Sequence, residues 1–332
     1  MINSDKNPEC LNDFLAYSST ILNKSENTIK EYNYDLAHFL KFTKLKLYNI
    51  EIDSEKDIKN VDITDLDIND IKKISLQDIH SFLGYLKATY RSKPTTLARK
   101  TASIRVFFNY LCNKTKMIPS NPAQDLESPK LGKRLPKYLN LDESKQLLHA
   151  ASQKDRHGNH DNTVRNVAII TVLLNCGIRL SELVNINISD IDFTDNKLNV
   201  IGKGNKERTI YLNNACVKSI KSYIEIRPKE GVKFNSKDAL FLSEQKKRIS
   251  NRTVQYIVKQ ELKWAGIEKS NKYSVHKLRH TAATLMYKYG NVDIRALQEL
   301  LGHESISTTE IYTHVDSEQI RSAVENNPLA NL

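Results

Sequence analysis

Glycine and proline are scarce in this chain, 10 and 8 of 332 residues. That scarcity excludes a collagen-like repeat and a low-complexity linker protein. No apolar run approaches the ~18 residues that a membrane-spanning helix needs. Met1–Pro8 is polar and lacks an apolar h-region, so no secretion signal is read there. The four cysteines (Cys10, Cys112, Cys176 and Cys216) stand far apart with no C-x-x-C pair. Such spacing fits reduced thiols and neither a disulfide framework nor a zinc ribbon. A soluble, cytoplasmic, nucleoid-associated protein without a membrane partner is expected.

Acids are also outnumbered. Fifty Lys and Arg face 39 Asp and Glu, a net charge of +11, and the excess attracts polyanions. It is unevenly spread. Glu51–Asp70 holds eight acids against two lysines and is expected to be an acidic surface insertion. From Lys87 to Ile118 there are eight basic residues and no acid at all. Within that basic stretch Thr95–Asn113 has a helical period. Leu97, Ile104, Phe108 and Leu111 can face a core, leaving Arg99, Lys100 and Arg105 as candidate phosphate contacts.

The length accommodates two domains. Residues 1–127 are expected to be a helical domain, with helices over Leu11–Leu22, Thr28–Leu40 (Ser25 as N-cap) and Leu76–Tyr90. Residues 128–136, Ser-Pro-Lys-Leu-Gly-Lys-Arg-Leu-Pro, form a basic linker in which Lys130, Lys133 and Arg134 suit a DNA backbone. Residues 137–332 make the second domain. A helix opens at Leu141, an apolar helix over Val167–Asn175 is ended by Gly177, and strands over Lys197–Ile201 and Glu207–Leu212 flank a hairpin turn. Everything after Ser250 reads as helix.

Four segments of this second domain carry polar residues that packing alone does not require. In Gly177-Ile178-Arg179-Leu180-Ser181-Glu182, Arg179 follows a helix-ending glycine, and Glu182 one turn on can orient its guanidinium toward a phosphate. An ordinary surface ion pair would use the same two residues. In Ser274-Val275-His276-Lys277-Leu278-Arg279-His280, Ser274 is the expected N-cap, and His276 and Arg279 share a face near a helix N-terminus that favours anions. His276 and His280 could instead hold a metal, but no helical Glu accompanies them as in H-E-x-x-H. Leu301-Gly302 ends a helix before His303. Nine residues on comes Tyr312, one of fifteen tyrosines, singled out only by its neighbours.

Taken in order, Gly-x-Arg-x-Ser-Glu, the hairpin lysine of Gly202-Lys203-Gly204, His-x-Leu-Arg-His, Leu-Gly-His and the final tyrosine resemble the tyrosine site-specific recombinases, or integrases. Within that family the chain looks most like the compact Xer-type enzymes, which implies chromosome dimer resolution, or integration and excision of a mobile element. The resemblance implies a mainly α fold: an N-terminal helical (SAM-like) DNA-binding domain and a mostly helical catalytic domain with a small antiparallel sheet, together clamping DNA. It also implies roles. Tyr312 attacks the scissile phosphate, Arg179 and Arg279 hold its non-bridging oxygens, and His276 and His303 assist. Lys203 protonates the leaving 5′-oxygen, with Lys206 as alternative; Glu182 and His280 support from behind. The sequence carries no P-loop and no acidic metal cluster, and neither cofactor nor metal is expected. The expected partner is duplex DNA with paired inverted-repeat sites, bound by a homo- or hetero-tetramer. The tail 313–332, with Ile320, Ala323 and Val324 at helical spacing, is expected to dock on a neighbouring subunit, with folding back on its own domain as the alternative. A type IB topoisomerase and a catalytically silent DNA-binding protein are the rival readings.

Overall fold

The computed structural model describes residues 4–50, 55–130, 132, 137–153, 160–202, 207–268, 270–290 and 292–302. The chain divides into two compact units, Met1–Lys133 and Arg134–Leu332. In the first, α1 (Glu9–Thr20), α2 (Glu26–Leu47), α3 (Glu55–Asn60), α4 (Ile68–Lys72), α5 (Leu76–Tyr90) and α6 (Pro94–Asn109) surround one core. Ser25 caps α2, its hydroxyl accepting from Thr28 N. Ser75 and Asp78 form a reciprocal capping box on α5, and Pro94 opens α6 where no intrahelical N–H is needed. The core is aromatic: Phe14, Phe39, Phe82, Phe107 and Phe108 are all fully buried. Their rings meet mostly edge-on, Phe39 and Phe82 with centroids 5.3 Å apart.

Two expectations for this unit are corrected. The acidic stretch is not a mere surface excursion, because Ile58, Ile63 and Leu66 are buried while Lys59, Asp62, Asp65 and Asp67 stay exposed. Asp67 and Asp70 are spent on capping α4. Lys100 does not face solvent. It is buried and donates to the fully buried Asp35 Oδ1 at 2.8 Å, a carboxylate that also accepts from Arg99 and Ser103. An unpaired carboxylate at that depth would be costly, so the helix turns a lysine inward to meet it.

The second unit is built on α8 (His160–Cys176), almost wholly buried, which packs against α7 (Leu141–Ala151), α10 (Asn214–Ile226) and α12 (Val275–Tyr289). Asn140 and Glu143 cap α7 reciprocally. After α9 (Leu180–Asn185) comes a three-stranded antiparallel sheet in the order β1 (Ile191–Asp192), β2 (Lys197–Ile201), β3 (Glu207–Tyr211). The two-residue β1 escaped the sequence reading. The β2–β3 register pairs Ile201 with Glu207 and Leu198 with Ile210. Arg227, at the end of α10, is buried and donates to the carbonyls of Ser236, Lys237, Ala239 and Leu240. It thereby satisfies a loop that has no ladder of its own. Then α11 (Asn251–Trp264), α12 and α13 (Ile294–Leu301) follow. The architecture is mainly helical with one small sheet. Among the described residues, no helix is long and apolar enough to cross a membrane.

Candidate active site

Gly177 ends α8 with φ +58°, a conformation that suits glycine. Space requires it too. A Cβ there would lie 3.1 Å from Leu301 Cδ2 and 3.4 Å from Ala282 Cβ, so the end of α8, α12 and α13 converge on this point. The turn delivers Arg179 as the N-cap of α9 in extended conformation. Its side chain is about one-third exposed, and Nη2 donates to Gly302 O at 2.6 Å. On α12, Arg279 is buried. Its Nη1 donates to Gly177 O at 2.6 Å and Nη2 to Leu301 O at 2.5 Å. Two arginines a hundred residues apart thus grip consecutive carbonyls at the C-cap of α13, the turn that leads into His303.

Glu182 is buried beneath Arg179, and its carboxylate is saturated. Oε2 accepts from Arg179 N at 2.7 Å and from Arg208 Nη2 at 2.8 Å; Oε1 accepts from Arg179 Nη1 at 2.9 Å and Arg208 Nη1 at 2.6 Å. Burial alone would raise its pKa, but the hydrogen bonds and charges of Arg208 and Arg179 prevail and hold it at about 2. Arg208 was not singled out from the sequence. Its signal is in the strand pattern: Arg208 and Ile210 share the inward face of β3. An arginine at an inward position needs a carboxylate to meet it.

Ser274 occupies the N-cap position of α12, but its hydroxyl makes no capping hydrogen bond, contrary to expectation. His276 is exposed in the first turn, with the ring of the half-buried His280 edge-on at 4.6 Å. Desolvation, then Arg279 and Arg179, lower the His276 pKa. Burial, followed by His276, Arg279 and Lys277, depresses His280 to about 4. Both imidazoles are therefore neutral near pH 7, and a neutral ring can donate through one nitrogen and accept through the other. Among the described residues, no three His, Cys, Asp or Glu side chains cluster as a metal site would require.

The structure brings Arg179, Glu182, His276, Arg279 and His280 together within the second unit. Lys203, Lys206, His303, Tyr312 and the tail 313–332 lie outside the described residues, as do Lys133 and Arg134 of the linker. Of the remaining candidate DNA contacts, Arg99 and Lys130 are exposed and Arg105 is half-buried, donating to Leu126 O and Ser128 Oγ. Chemically, the assembled site places the partly exposed guanidinium of Arg179, the buried one of Arg279 and a neutral imidazole beside a helix N-terminus, a set suited to an anionic phosphate and its negatively charged transition state.

Residues 137–319 match the phage integrase family. The chain belongs to that family. A protein named tyrosine recombinase XerC, from Caldanaerobacter subterraneus subsp. tengcongensis, is 54% identical over 98% of this chain and 88% of its own length. A tyrosine recombinase XerD from Listeria monocytogenes is 33% identical over 92% of this chain and 94% of its own. Among solved structures, the XerH site-specific recombinase in a post-cleavage complex with palindromic difH substrate superposes with a TM-score of 0.70. That similarity covers 95% of this chain and 83% of the other at 23% identity, and it supports the fold. With these relatives, the chain is a tyrosine recombinase, an enzyme of DNA strand transfer.

Proposed function

We propose that this recombinase cuts and rejoins DNA at paired inverted-repeat sites through a 3′-phosphotyrosine on Tyr312, and that its role is the Xer-like resolution of chromosome dimers. The observation that carries the reading is the convergence of Arg179 and Arg279 on the Leu301–Gly302 turn, directly before His303. That geometry brings Arg179, Arg279 and the Leu301–Gly302 turn, far apart in the sequence, into one place.

A free tyrosine has a pKa of ~10, so the cations of the site must stabilise the Tyr312 phenolate, and its proton passes to solvent or to a neutral imidazole such as His276. Tyr312 Oη bonds to phosphorus and the P–O5′ bond breaks. Arg179 and Arg279 hold the non-bridging oxygens, with His276 and His303 as further hydrogen-bonding partners. Lys203, with Lys206 as the alternative, gives its proton to the departing 5′-oxygen. The phosphotyrosine keeps the phosphodiester's energy, so a 5′-hydroxyl of another strand can reseal the bond without nucleotide or metal. The Xer assignment rests on 54% identity to a XerC protein across nearly the whole chain. It implies action on chromosomal DNA in the cytoplasm by four subunits, alone or paired with a second recombinase.

One assay separates this from a type IB topoisomerase and from a silent DNA-binding protein. Supercoiled plasmids carrying two, one or no copies of the site are incubated with the protein. Site-dependent deletion or inversion from the two-site plasmid alone is expected. Relaxation of all three without recombinants would mark a topoisomerase, and binding without any covalent adduct a silent protein.

A further inference from the structure

Arg208 touches two parts of the candidate site, the Glu182 carboxylate and the turn that ends α13. Both terminal nitrogens bind the Glu182 carboxylate, which in turn holds the backbone and side chain of Arg179. Its methylenes lie against the turn of α13. A Cβ on Gly302, whose φ is +62°, would come within 3.2 Å of Arg208 Cδ. It stands second in β3, just beyond the hairpin segment that carries Lys203 and Lys206.

Charge accounting shows what the contact does. Glu182 contributes −1 and is buried, with its side chain 1% exposed. Arg179 and Arg208 contribute +1 each, leaving one positive charge on the pair. Arg208 is the more buried of the two, with 14% side-chain exposure against 31% for Arg179. The uncompensated charge therefore sits on the residue that faces outward. Without Arg208, the carboxylate would neutralise Arg179 itself, and the phosphate would meet a guanidinium already paired.

We propose that Arg208 is a positioning residue for strand cleavage: it serves as the counter-ion of Glu182, frees the charge of Arg179 for the scissile phosphate, and ties β3 to the α13 turn. This rests on the reading of Tyr312 and Arg179 given above.

The test uses the full-length protein and nicked suicide substrates of two kinds, one with an ordinary scissile phosphodiester and one with a methylphosphonate there. The methylphosphonate lacks the negative charge that Arg179 must meet, so cleavage of it depends less on that charge. Arg208→Ala is expected to bind DNA as the wild type does and to form the covalent adduct at least about tenfold more slowly on the phosphodiester. The defect shrinks on the methylphosphonate. The double variant E182Q/R208A, which removes the carboxylate's charge as well, forms adduct faster than Arg208→Ala alone. A wild-type rate for Arg208→Ala overturns the proposal. So does an equal loss on both substrates with no recovery in the double variant, the mark of a merely structural lesion.

If Arg208→Ala does not fold, the comparison passes to Arg208→Lys, which keeps the charge but gives up the paired hydrogen bonds. Its phosphodiester rate stays within a few-fold of wild type on this account, whereas abolished cleavage by a folded Arg208→Lys overturns it. Failure of the underlying reading looks different: the wild type then yields no adduct, or Tyr312→Phe yields as much, whatever Arg208 does.

Discussion

The arginines of the site are not equivalent. Arg179 is partly exposed and shares its carboxylate with Arg208, so its loss leaves Glu182 a partner. Arg279 is buried, and two main-chain carbonyls depend on it. Unmaking hydrogen bonds from a charged donor to buried carbonyls costs roughly 1–3 kcal/mol per group. Both Arg179→Ala and Arg279→Ala are expected to slow covalent-adduct formation by about a hundred- to a thousand-fold, the usual consequence of removing a preorganised donor. Thermal melting should separate them, with Arg279→Ala losing clearly more stability than Arg179→Ala. Equal melting temperatures would show that the carbonyls do not rely on Arg279. The same distinction explains Lys100. It reads as a phosphate contact on a helix free of acids, yet it stands three residues after Leu97 and four before Ile104, on the apolar stripe itself. A cation on a buried stripe implies a buried acid elsewhere, and only the fold shows that the acid is Asp35.

At the scale of elements, much was legible. Period and capping chemistry placed α5 at Leu76–Tyr90 and the Ser25 cap of α2; glycine at positive φ marked the ends of α8 and α13. These are local signals, set within one or two turns of chain. What escaped is non-local. The Glu182–Arg208 bond spans 26 residues and depends on how β3 lies against α9. The buried isoleucines of the acidic stretch are masked by the charges between them. The hairpin between β2 and β3 supplies the next test, since it carries both lysine candidates. A 5′-bridging phosphorothiolate substitutes a sulfur that departs without a proton. If Lys203 is the general acid, Lys203→Ala is strongly impaired on ordinary DNA and regains much of its rate on the phosphorothiolate, while Lys206→Ala gains little. Rescue of Lys206→Ala and not of Lys203→Ala would transfer the role.

On the scale of the whole molecule, both units hold a described histidine strongly biased toward its neutral form. His38 in the first unit and His280 in the second are both lowered from 6.5 to about 4, chiefly by burial. Between those values the unfolded chain binds protons that the folded one refuses, so stability is complete above pH 6.5 and falls as pH drops toward 4. Glu182, lowered from 4.5 to about 2, adds a separate loss only below pH 4.5. Urea midpoints are therefore expected to fall between pH 7 and pH 5, and His280→Asn should flatten the decline of the unit that contains it. A midpoint that holds level or rises across that interval would contradict the assignment.

The central claim is that one tyrosine becomes covalently joined to DNA. Tyr312→Phe keeps the ring and removes the attacking oxygen. Wild type and variant are incubated with a nicked suicide substrate, denatured in SDS and resolved on a gel. The account predicts a protein–DNA band for the wild type and none for Tyr312→Phe, with DNA binding by the two proteins alike. A band of wild-type intensity from Tyr312→Phe would contradict it.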